Sequence, residues 1–270
     1  MKTALALFQV VLIAVAAIAY VRLAVGPGAV RATGAVWRDW RKTFRLAVGI
    51  WLAIFVFDVI QTGGDAEMTR SLGVDYTGVI HEFEGSIVAT LQSWFGFRPF
   101  TDLLSLAYLI LFPGLLFGMA FAYDRLGDDA SLKRTAYVYS LNYLLCLPFY
   151  IFAPVREPWS ESGSGVLPVM DEVHPWLIDI VRPMSGLDNC FPSYHTSLTV
   201  SLVLLAWETG PRVFSRAVAV SGVLIVASTV VLGFHWMMDL MSGVVAGWFI
   251  HVVARRMVFE PIAVPVTTRS

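Results

Sequence analysis

Seven stretches of this chain are apolar over about the twenty residues that an α-helix needs to cross hydrocarbon, and that leaves few folds open. They lie at about 3–25, 43–61, 102–123, 135–153, 192–209, 214–233 and 236–256. In lipid every backbone polar group must be satisfied internally, so runs of this length predict an all-α polytopic transmembrane bundle of seven helices. Only 14% of the residues are charged, against about 25% in a typical soluble domain, and the mean hydropathy is +0.70. The first run follows Met1-Lys2 and has a second reading as a cleaved signal peptide. It is longer than the usual signal core of about 7 to 15 residues, so a retained helix is the reading taken here. Cleavage would leave six helices with the same sidedness. The expected organisation is an amino-terminal helix and basic loop over 1–42, a six-helix core over 43–256 with long outer loops at 62–101 and 154–191, and a short tail over 257–270.

Charge is distributed by membrane side. Arg31, Arg38, Arg41, Lys42 and Arg45 lie between the first two runs, Arg125, Lys133 and Arg134 follow the third, Arg212 and Arg216 the fifth, and Arg255, Arg256 and Arg269 the seventh. The positive-inside rule makes all of these segments cytoplasmic, with the amino terminus outside and the carboxyl terminus inside. The two long outer loops are acidic. No basic patch is gathered on one face, which argues against a nucleic-acid partner and for the membrane itself. Val79 to Leu91 carries apolar residues at near-helical spacing, as expected of a helix lying in the interface and roofing a lipid entrance. Trp94, Trp159, Trp176 and Trp236 flank outer ends of the runs, as an aromatic belt would. Cys146 falls in an apolar run and Cys190 in a polar loop, so no structural disulfide is expected.

Two histidines and a carboxylate stand at the outer mouths of apolar runs, where an ionisable group is costly and is read by default as functional. In Gly233-Phe234-His235-Trp236-Met237-Met238-Asp239 the histidine and aspartate are four apart, one helical turn. A carboxylate accepting from one ring nitrogen fixes the tautomer and leaves the other free as a nucleophile. In Phe191-Pro192-Ser193-Tyr194-His195-Thr196, Pro192 opens a helix whose amino end favours an anion, and Ser193 adds a hydroxyl. The pair suggests attack on phosphorus with a phosphate cradle beside it. Arg156, between Pro154 and Pro158, and Arg182, in the loop leading to His195, are the candidate phosphate-binding guanidiniums.

Asn189 to Thr196 resembles the Pro-Ser-x-His motif of the type 2 phosphatidic acid phosphatase superfamily, and Ser228 through His235 to Asp239 resembles its third motif. The resemblance covers roughly 188–252. It implies that His235 attacks phosphorus to give a phosphohistidine, that Asp239 orients it, that His195 protonates the leaving alcohol, and that no metal or other cofactor is needed. Two features depart from the pattern. Thr229 stands where the third motif has arginine, and the first motif is missing, since Arg182-Pro183 has Pro175 and Arg98-Pro99 has Leu91 at the lysine position. In this the chain is more similar to the inositol-phosphoceramide and sphingomyelin synthase branch, which implies that a second lipid alcohol can replace water as acceptor. The expected partners are therefore a lipid with a phosphate-containing headgroup, such an acceptor, and the membrane. A competing class is a transport or metal-binding protein in which His195, His235 and Asp239 serve as ligands or a proton relay.

Overall fold

A computed structural model describes residues 2–26, 71–170 and 187–258. The expected helix at 43–61 and the candidate Arg182 lie outside the described residues. Helix α1 spans Lys2–Val25. Helices α2 (Thr77–Glu84) and α3 (Ile87–Phe95) follow, then α4 (Arg98–Leu106), which continues through a π-helical turn at Ala107–Leu111 into α5 (Phe112–Leu126). Helix α6 is Asp129–Phe152, α7 Tyr194–Thr209, α8 Arg212–Val231 and α9 Met237–Met257. Among the described residues there are no named strands, only one isolated parallel bridge between Val155 and Asn189.

Five of these stretches are long and apolar enough to cross a membrane: Leu7–Val25, Arg98–Leu126, Asp129–Phe152, Arg212–Val231 and Met237–Met257. The run at 192–209 departs from expectation. Its helix has 16 residues, about 24 Å of rise, short of a roughly 30 Å hydrocarbon core. The cause is local: Ser193 caps the start at Thr196 N, and Gly210-Pro211 ends it.

Lipid offers no hydrophobic drive between helices, so close packing and interhelical polar contacts hold the bundle. Gly114 and Gly118 of α5 receive α1: a Cβ at Gly114 would stand 2.6 Å from Ala16 Cβ, and one at Gly118 2.8 Å from Tyr20 Cβ. Gly243 and Gly247 of α9 receive α7 in the same way, with Ser193 O and Ser197 O 2.8 and 2.4 Å from the added carbons. A buried polar knot ties α6 to α7 and α9. Ser197 Oγ donates to Asn142 Oδ1, Asn142 Nδ2 donates to Val138 O at 2.8 Å, and Ser201 Oγ donates to Gly247 O at 2.9 Å.

The π turn has a cause in Pro113, which has no N–H to give Leu109 O. That carbonyl instead faces Gln9 Nε2 of α1 at 3.5 Å. Helices α1, α4–α5, α7 and α9 run one way and α6 and α8 the other. This places His195, His235 and the α2–α3 segment at one end of the bundle. Arg134, Glu208, His251 and Arg255 meet at the other, where Glu208 accepts from Arg134 Nη2 at 2.5 Å and from Arg255 Nη1 at 3.3 Å.

Candidate active site

His235 sits in the short link Leu232–Trp236 between α8 and α9. Its backbone and that of Phe234 both donate to Thr229 O, at 2.9 and 3.0 Å, folding the link back over the end of α8. Thr229, in the place of the motif arginine, is fully buried and turns its hydroxyl onto Val226 O at 2.8 Å. It braces the link rather than reaching outward. The His235 ring is buried and its Nδ1 stands 3.4 Å from Asp239 Oδ2. The same oxygen accepts from Trp236 N at 2.8 Å, so Asp239 is both the third residue of an α9 capping box and the partner of the imidazole.

His195 lies in the first turn of α7. Its ring centroid is 5.9 Å from that of His235, 4.8 Å from Tyr108 and 4.6 Å from Phe112. Tyr108 belongs to the π turn and also stacks on Phe234 at 4.7 Å. The widened turn thus presents an aromatic wall to one imidazole and to the link carrying the other. Ser193 is buried, its Oγ accepts from Thr196 N at 3.3 Å, and its backbone N–H donates to Asp239 O at 3.1 Å. It is the joint between the two motif segments. Arg156 is engaged by two carboxylates: Nε donates to Asp75 Oδ2 at 2.9 Å and Nη2 to Glu161 Oε2 at 2.7 Å. Its carbonyl accepts from Trp236 Nε1 at 2.9 Å. The residue braces the loops above the site, and its charge is already matched.

Several residues here were not expected at the site. Trp236, expected in the aromatic belt, is fully buried beneath Arg156 and packs on His81 at 5.7 Å. Cys190, expected in a polar loop, is buried and donates from Sγ to Phe234 O at 3.3 Å. Glu84 of α2 accepts from the backbone N–H of Met237 at 2.9 Å and from that of Met238. Burial pushes the Glu84 carboxyl above its ordinary value, the two amides pull it down, and the Asp239 charge pushes the same way as burial. Among the described residues, Cys190, His235 and Asp239 bring ligand atoms within 4.8 Å of one another. Thiolate, imidazole and carboxylate form a donor set suited to zinc, and His195 is not part of it.

The fold and site define a helical membrane protein with two imidazoles facing each other at one end of the bundle. The family model described as the PAP2 superfamily matches residues 144–262, a segment that contains His195, His235 and Asp239. The match spans less than half of the chain and supports the resemblance to the type 2 phosphatidic acid phosphatase superfamily that the two motifs carry. No curated protein and no solved structure matches the chain.

Proposed function

We propose that the chain is a metal-independent lipid phosphatase or phosphotransferase working through a phosphohistidine at the outer membrane face. The observation that carries this reading is the 5.9 Å separation of the His195 and His235 rings, with Asp239 behind the latter. Asp239 takes the Nδ1 side of His235, which leaves Nε2 as the nucleophile. Nε2 attacks phosphorus as the bond to the leaving alcohol breaks, and His195 gives that oxygen a proton. In the second half His195 takes a proton from water or a lipid alcohol, whose oxygen attacks phosphorus and breaks the P–N bond. Outer-face action rests on charge: this end of the bundle is opposite the one bearing Arg125, Lys133, Arg134, Arg212, Arg216, Arg255 and Arg256.

Arg156 would have to leave Asp75 and Glu161 to reach a phosphate, so we assign it to holding the loops. The headgroup charge then falls to Arg182 and to the dipole of α7. A site poor in cations among the described residues suits a monoanionic phosphodiester or a lipid acceptor, as the sphingomyelin synthase-like resemblance implies.

His235→Ala tests the reading. Purified wild type given a phosphate-labelled lipid should trap acid-labile label on protein, and the variant should trap none and turn over nothing. Full activity in that variant refutes the mechanism. A paired-substrate assay then decides whether the group goes to water or to a second lipid. Chelators should leave the rate unchanged; activity lost to a chelator and restored by zinc would favour the metal-site reading through Cys190, His235 and Asp239.

A further inference from the structure

Helices α2 and α3 bury polar side chains and expose large apolar ones. Their buried positions are Thr77, Ile80, Glu84, Val88 and Gln92, three of them polar, whereas Val79, Phe83, Ile87 and Trp94 are exposed. Phe83 is 77% exposed and Trp94 66%. On a water-facing helix this arrangement would expose the wrong side. It fits a lipid surface, and the segment leads through Phe97 directly into the membrane-spanning stretch Arg98–Leu126.

The polar side makes specific attachments. Glu84 accepts from the first two backbone N–H groups of α9, where the orphan donors and the positive end of the helix dipole favour a carboxylate. Gln92 Nε2 donates to Val231 O at the end of α8 and to Leu167 O, each at 3.0 Å, and its Oε1 accepts from Leu167 N at 2.9 Å. One residue therefore holds the helix before the His235 link and the other holds the helix after it. Gly233 lies between them. Its φ is +89°, and an added Cβ would stand 2.6 Å from Leu167 O and 3.3 Å from Gln92 Nε2, so the strap and its neighbour rest directly on the link. His81 adds a ring contact to Trp236.

We propose that α2–α3 is a lipid-seated clamp on the catalytic link, in which Glu84 and Gln92 are positioning residues for His235 and Asp239 and the apolar face of Val79, Phe83, Ile87 and Trp94 rests in the outer leaflet. The proposal rests on the phosphotransfer reading for its kinetic consequence, though not for its structural one. Misplacing a nucleophile by about 1 Å costs roughly a hundredfold. Losing either anchor should act on turnover more than on substrate binding.

The test uses the full chain in phosphatidylcholine vesicles. Glu84→Ala and Gln92→Leu should each lower kcat by roughly ten- to a hundredfold with KM within about twofold. Both should speed amide hydrogen exchange across 232–240. Asp128→Ala removes a cap of similar kind from α6, where Asp128 accepts from Ser131 N, far from the site. It should cost stability and leave kcat and the 232–240 exchange unchanged. Phe83→Ser with Trp94→Ser should lower kcat in vesicles by roughly threefold or more while the protein still inserts.

Unchanged exchange in Glu84→Ala overturns the clamp whatever the activity. Faster exchange at wild-type kcat overturns the positioning role, and wild-type kcat in the double variant overturns the lipid seating. An inactive wild type whose 232–240 exchange still rises in Glu84→Ala would refute the phosphotransfer reading and leave the clamp standing.

Discussion

Asp239→Asn isolates what the buried carboxylate does for catalysis from what it does for the helix. Oδ2 carries both contacts, to Trp236 N at 2.8 Å and to His235 Nδ1 at 3.4 Å, while Oδ1 is buried with no hydrogen-bond partner. An asparagine can settle in two ways. With its oxygen in the Oδ2 place, both contacts survive, but the charge is gone and the amide nitrogen takes the Oδ1 place. Turned over, it sets N–H against the Trp236 N–H and presses the imidazole to carry its proton on Nε2, where the attacking lone pair is needed. A hydrogen bond to a charged group contributes about 1.5 to 3 kcal/mol, which is roughly ten- to a hundredfold in rate. A wrong tautomer behind a buried carboxylate has cost roughly 10⁴. The expected fall in kcat is therefore about 10² to 10⁴, with KM changed by less than about threefold. Asp239→Ala also strands the Trp236 amide, at about 1 to 3 kcal/mol of stability. The assay is product release from labelled lipid in mixed micelles beside the thermal midpoint of the same preparations. Asp239→Asn with kcat within about threefold of wild type would refute the assignment.

His195→Gln should slow transfer from an alkyl ester by roughly 10² or more but cost much less with a nitrophenyl leaving group, which departs without a proton. Equal losses on both substrates would remove the general-acid role. Gly247→Leu should lower the thermal midpoint sharply, because its Cβ would stand 2.4 Å from Ser197 O and drive α7 off α9. A variant as stable as wild type would mean that the contact yields freely. Burial pushes Asp75 up, but bonds from the Thr77 hydroxyl and amide and from Arg156 outweigh it and hold the carboxyl below its ordinary value. Its contribution is therefore full above an unfolded pKa of about 3.9 and lost as pH falls through the lower folded value. The gap in midpoint between wild type and Asp75→Asn should close as the buffer is taken from about pH 6 to pH 3, and a gap that widens would reverse the sign.

The membrane class was legible because hydropathy is a property of single segments and needs no long-range contact. The five spans found among the described residues begin and end within six residues of runs marked from composition alone. His235 and Asp239 were legible as a pair for the same reason, being one helical turn apart. Their double use was not, since Asp239 acts through the first turn of α9 and only the fold shows that the helix begins at Met237. Tyr108 and Phe112 were invisible because nothing local ties them to His195; the π turn set by Pro113 turns them toward it. The segment 79–91 was read for its apolar residues, of which Val79, Phe83 and Ile87 form the exposed face while Ile80 and Val88 are buried. Glu84 counted there only toward the acidity of the outer loop, because its partners Met237 and Met238 lie far along the chain. Gly85, at φ +58°, splits the expected single helix in two.

Electrostatics narrows the substrate further within the proposed reading. Thr229 is turned inward, Arg156 is balanced by Asp75 and Glu161, and the carboxyls of Glu84 and Asp239 meet at the first turn of α9, the latter against His235. At the amino end of α7, Ser193 already occupies the amides of Thr196 and Ser197 through its hydroxyl and carbonyl. A dianionic phosphomonoester entering this setting would meet repulsion with little among the described residues to offset it, whereas a phosphodiester brings one charge and a loose transition state spreads that charge over the equatorial oxygens. The ratio of kcat/KM for a phosphodiester lipid over the matching monoester should therefore exceed one, and Arg182→Ala should cost the monoester more than the diester. A monoester preferred by tenfold or more would place an unmatched cation at the site and overturn the charge argument while leaving the two histidines in their roles.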